Sequence, residues 1–186
     1  MKVIRENALK FMESDEKKMK EKFGDYAKSI VYGGMDGIVT TFAVVAGAVG
    51  GNLGITPIVI LGFSNLLADG FSMAVGDYLS STTEESVVKG KAIKNAGATF
   101  VSFIFFGLIP LLSYLLINVF SIFKVHTFMM ACILVSFALT LLGFVKALIT
   151  KKSKFKEIFR TLLIGLIAAL FAYYVGELLG EIAGTR

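Results

Sequence analysis

Four residues in one apolar stretch have the chemistry to handle a cation. In FSNLLADGFSMAVGDYLSSTTEES, Asn65, Asp69, Met73 and Asp77 recur every four positions. That spacing puts them in one gently drifting stripe on a single helix face. The stretch is apolar enough to enter a bilayer, yet carboxylates inside a membrane cost about 2.5–3.5 kcal/mol each on insertion scales. A third carboxylate, Asp36, is the only charge in the apolar run after Lys28. With no basic residue inside the runs, such an acid binds a proton, a cation, or each in turn. A thioether and an amide oxygen beside the acids make a mixed hard–soft donor set. It suits a borderline divalent ion such as Fe²⁺, Mn²⁺, Co²⁺ or Zn²⁺ better than Ca²⁺, Mg²⁺ or Na⁺. Asp36 and Asp69 are the candidate proton-coupling groups.

The elements that must position these residues are membrane spans. Of 186 residues, 55% are hydrophobic and 18% charged, with mean hydropathy +0.75, whereas soluble domains carry about 25% charged residues. Apolar runs of about 20 residues mark five spans, over about 30–49, 57–81, 92–117, 127–149 and 158–179. Pro110 is expected to kink the third. The expected fold is therefore an all-α integral membrane protein, with a charged N-terminal segment (1–28) before a five-helix transmembrane domain (29–186). Ala8, Met12, Met19, Phe23 and Tyr26 give that segment the pattern of an amphipathic surface helix.

Seventeen of the 19 Lys and Arg residues flank one end of the spans, which predicts a cytosolic N-terminus. The net charge of +5 does not point to nucleic acid, because the basic residues flank spans and form no patch interleaved with aromatics. Cys132, the single cysteine, reads as a buried thiol. No cleavable signal peptide is expected, since the N-terminal segment lacks an apolar centre. No nucleophile–base constellation or cofactor motif marks an enzyme, and no permanently bound cofactor is expected. Counting 1.5 Å per residue from the cytosolic ends puts Asp36, Met73 and Asp77 at one depth, with Asp69 deeper. Glu84 continues the stripe into the cytosol. Gly33 and Gly37 form a GxxxG spacing that packs helices within one subunit or across a two-fold axis.

Two strings, YGGMDGIVTTFAVVAGAVG and GFSNLLADGFSMAVGDYLSSTTEE, closely resemble the first two helices of the vacuolar iron transporter family. KNAGATFVSFIFFGLIPLLSYLL is similar to its third. The resemblance implies a homodimer, paired through the first helix, with the ion path between subunits. It implies export of Fe²⁺ or Mn²⁺ from the cytosol in exchange for protons, with Asp36 and Met73 as metal ligands from each subunit. The membrane would be the plasma membrane in a prokaryote and a vacuolar-type membrane in a eukaryote. Two departures stand out. Plant-type members carry Glu where this chain has Asn65, and Gly where it has Asp69. The Glu- and Met-rich cytosolic insert between the second and third helices is also missing, leaving TTEESVVKGKAIKN with Glu84 and Glu85. Two other readings stay open at this stage: a transporter of another solute on the same fold, and a non-transporting metal sensor. His126 and Glu177 read as interfacial residues at the outer ends of the last two spans.

Overall fold

A computed structural model describes the backbone of residues 2–83, 89–118 and 126–185, and side chains at 24, 26–83, 90–117 and 126–185. The described residues form helices α1 (Lys2–Gly50), α2 (Ile55–Thr82), α3 (Lys89–Gly107), α4 (Ile109–Leu115), α5 (Thr127–Thr150) and α6 (Lys154–Ala183). A 3₁₀ turn, Leu116–Asn118, follows α4. The fold is all-helical, and five stretches are long and apolar enough to cross a membrane: Tyr26–Gly50, Ile55–Thr82, Gly90–Leu115, Thr127–Thr150 and Lys154–Ala183. The shortest, at 24 residues, is about 36 Å long, enough for a hydrocarbon core of about 30 Å.

The sequence's breaks fall where its chemistry demands them. Pro110 has no amide hydrogen and occupies the first turn of α4, so the third span splits at Leu108. Gly50–Gly54 turns α1 into α2, with Asn52 in the left-handed region at φ 55° and Leu53 donating back to the Ala48 carbonyl. Lys151, at φ 53°, ends α5 in the same way, and Lys152 donates to the Ala147 carbonyl. The backbone of α1 runs unbroken from Lys2 into the first span. Of the expected amphipathic face before it, Ala8, Met12, Met19 and Phe23 fall on side chains outside the described residues.

Helix α1 is the hub and packs against all five other helices. In lipid the hydrophobic effect gives apolar helices little reason to associate, so close packing of small residues does the work. Gly33 and Gly37 abut the backbone of Thr99 and Phe103 on α3, and Gly34 faces Ser102 and Phe106 of the same helix. The GxxxG face of α1 is thus filled within the protomer. A second glycine spacing, Gly176 and Gly180 in VGELLGE, meets Gly47 and Gly51 at the far end of α1. There Thr185 donates to the Gly51 carbonyl at 2.8 Å and Asn52 donates to the Thr185 carbonyl at 3.0 Å, tying the end of α6 onto the α1–α2 turn. The buried core, including Ile38, Phe42, Val45, Leu111, Leu139 and Leu142, lies among α1, α4 and α5. Helix α6 leaves a broad apolar face uncovered, with Phe159, Leu166, Phe171 and Leu178 exposed, as a lipid-facing helix does.

Candidate metal centre

Phe103 sets the level of the site. This wholly buried ring belongs to α3. Its backbone abuts Gly37 of α1, and its ring meets the space in front of Gly70 of α2. Asp36 and Asp69 are the sequence neighbours of those two glycines, so one wedge sets the register of both acids. Both are half-buried, and among the described residues Asp36 has no ion pair. Its backbone carbonyl accepts a hydrogen bond from Thr40 Oγ1 at 2.8 Å.

The remaining stripe residues distribute around this pair. Met73 is half-buried one turn from Asp69, toward the lysine-rich end of the bundle. Asn65 lies one turn the other way, with its Nδ2 buried and unpartnered. Asp77 is committed elsewhere: its Oδ2 accepts a hydrogen bond from Thr99 Oγ1 at 2.7 Å, and Thr99 is wholly buried on α3. Thr99 abuts Gly33 and bonds Asp77, and Phe103 abuts Gly37 and meets Gly70, so the segment of α1 that holds Asp36 lies alongside the Gly70–Asp77 segment of α2. Glu84 and Glu85 lie outside the described residues.

The sequence reading passed over Thr99, Ser102 and Phe103. Their signal is a hydroxyl and aromatic pattern, T-F-V-S-F, in an otherwise apolar span. Ser102 Oγ donates to the Ile30 carbonyl of α1, so both hydroxyls of this turn brace the helices that carry the acids. No group of three His, Cys, Asp or Glu side chains converges among the described residues. Beside the acidic stripe, α2 carries a second one: Ser64, Ala68, Ser72, Gly76 and Ser80, four apart and all exposed. His126 is exposed at the start of α5, and Glu177 is half-buried on α6. Cys132, expected as a buried thiol, is half-buried and lines an apolar cavity between α5 and α6.

The sequence profile of the VIT family matches residues 27–92 and 87–177. A vacuolar iron transporter of Plasmodium berghei is 27% identical over 230 aligned positions, covering 86% of this chain and 84% of that protein. One from Toxoplasma gondii is 48% identical over 67 residues, 36% of this chain but only 22% of the relative's length. One from Plasmodium falciparum is 43% identical over 60 residues, 32% of this chain and 22% of that protein. The matched stretches hold both helices of the acid pair, and this chain belongs to the VIT family of membrane metal transporters.

Proposed function

We propose that the protein moves Fe²⁺ or Mn²⁺ out of the cytosol in exchange for protons, at a site built on Asp36, Asp69 and Met73. The observation that carries this reading is that two half-buried carboxylates, Asp36 and Asp69, sit in membrane-spanning helices beside the two glycines that Phe103 touches, with no ion pair to Asp36 among the described residues. Two like charges in a low-dielectric setting cannot both stay ionised cheaply, so they favour shared occupancy by a proton or a divalent cation. A carboxylate that holds a metal must first lose its proton, which makes occupancy by the two mutually exclusive. Met73 adds a soft donor one turn toward the cytosolic entrance and biases the site toward transition metals. Asp77, held by Thr99, lies nearer that entrance, and Glu84 follows seven positions on in the sequence. Asn65, with its unspent Nδ2, follows on the exit side. His126 and Glu177 flank the outer ends of their spans.

We further propose a homodimer that doubles this donor set, as no three His, Cys, Asp or Glu side chains converge among the described residues of one protomer. Gly33, Gly34 and Gly37 of α1 are occupied by α3, and Gly47 and Gly50 by α6. The surface offered to a second copy is then the exposed Ser64–Ser80 stripe of α2, beside the Asp36 side of α1. Small residues at four-residue spacing let helices approach closely, and this stripe adjoins the acidic one. The N-terminus would be cytosolic, so metal would enter from the lysine-rich end. The test is calorimetric titration of Mn²⁺ into the purified protein in two buffers of different ionisation enthalpy. Proton release on binding, lost in Asp36→Asn and weakened in Met73→Leu, is expected. Binding that releases no protons contradicts the exchange.

A further inference from the structure

A groove of about 210 Å³ opens at the lysine-rich end of the bundle, between the start of the first span and the end of α5. Val31, Tyr32, Met35 and Ile149 line it, with Lys28 and Lys146 at its mouth. Val31 is buried, Met35 and Ile149 are half-buried, and Tyr32 forms an exposed outer lip. Lys146 is held in place by Glu157, whose Oε2 lies 3.2 Å from its Nζ. Lys151, Lys152 and Lys154 are exposed on the adjoining α5–α6 turn. Glu157 is the only acid between Lys146 and Arg160. The turn is therefore strongly cationic, and Lys28 adds an amine from the opposite wall.

We infer that this groove is a binding site for an anionic phospholipid. The headgroup phosphate would sit between Lys28 and Lys146, and one acyl chain would lie along Val31, Met35 and Ile149. The lining decides between a lipid and a free phosphate. A phosphate alone would leave the apolar walls empty, whereas an acyl chain fills them. The position decides between a lipid and a soluble partner. Lys28 and Lys146 lie at the ends of apolar spans, at headgroup depth, where basic side chains attract anionic headgroups. Only apolar parts of both lysines line the groove, and a stem of that length lets the Lys28 amine reach the headgroup layer from there. Met35 adjoins Asp36, so a chain in the groove also braces the turn of α1 that carries the acid. This inference stands whether or not the protein exchanges metal for protons.

Native mass spectrometry of the full-length protein released from detergent tests it. Phosphatidylglycerol and phosphatidylcholine of identical chains are compared, with inorganic phosphate as a third arm. Phosphatidylglycerol is expected to stay bound at collision energies that strip phosphatidylcholine. Lys28→Gln is expected to weaken phosphatidylglycerol about five-fold and leave phosphatidylcholine unchanged. Ile149→Phe, which fills the groove but keeps its charges, should also weaken it. Lys154→Gln should not, because Lys154 Nζ lies over the Phe144 ring, 5.1 Å from its centroid, away from the groove. Equal retention of the two lipids overturns the inference. So does a loss in Lys154→Gln matching that in Lys28→Gln, which would mean a diffuse basic surface. Displacement of the lipid by millimolar inorganic phosphate would make it an anion site without an acyl groove.

Discussion

Replacing Gly33 by alanine tests where the first helix spends its small-residue face. A methyl group there would lie 2.5 Å from the Thr99 carbonyl oxygen, whereas ordinary contact begins at 3.4 Å. The obstacle is backbone, which no rotamer change can move, so α1 and α3 must part by about 0.9 Å. A gap of that size forfeits a quarter to a half of each contact's attraction, and overpacking of this kind costs about 1–3 kcal/mol. Alanine's better helix propensity returns about 1 kcal/mol at most. The net expectation is a loss of about 1–2 kcal/mol, or a fall on the order of 5 °C in unfolding temperature. Gly97 supplies the control. It lies on α3, and a methyl group added there would meet nothing within 4 Å, so Gly97→Ala should be neutral or stabilising. Gly37→Ala should behave like Gly33→Ala, and the double variant should cost less than the sum, because helices already parted for one methyl accommodate the second. Thermal unfolding in detergent and subunit stoichiometry by light scattering are read together. Unchanged unfolding with separated subunits would refute the reasoning and place this glycine face between protomers.

Three further outcomes follow from named contacts. Thr99→Val removes the 2.7 Å hydrogen bond to Asp77, and charge-assisted bonds of this kind are worth about 1.5–3 kcal/mol; metal uptake from the lysine-rich side should fall, and Thr99→Ser should restore it. Asn65→Leu should leave thermal stability unchanged or raised, because its buried Nδ2 has no partner to lose, while transport falls; a large stability loss would show an unseen partner. Gly176→Ala should destabilise the protein more than Gly33→Ala in the same unfolding assay, since its methyl would overlap the Gly47 carbonyl of α1.

The spans were legible in the sequence because hydropathy over 20 residues is a strong, local signal. The break near Pro110 was legible for the same reason, since a missing amide hydrogen acts wherever the chain goes. The identity of the acids was also readable, as charge inside an apolar run needs no knowledge of neighbours. How they sit relative to one another was not, because the offset between α1 and α2 is set by a third helix, whose Thr99 and Phe103 touch both. The role of Gly33 and Gly37 was likewise undecided by spacing, because a small-residue face looks the same whether a neighbour in the chain or a second copy fills it. The Gly176–Gly180 pair escaped notice beside Glu177 and Glu181, whose charges suggested a span end and not a helix crossing.

Metal flux into liposomes containing the purified protein is the most direct measurement of the central claim. A metal-quenched dye inside, Fe²⁺ or Mn²⁺ outside and an imposed proton gradient would be compared for wild type, Asp36→Asn and Asp69→Asn. The account predicts flux that requires the gradient and is lost in both variants, because both carboxylates serve one ion path. Wild-type flux in Asp69→Asn, or flux indifferent to the gradient, would contradict it.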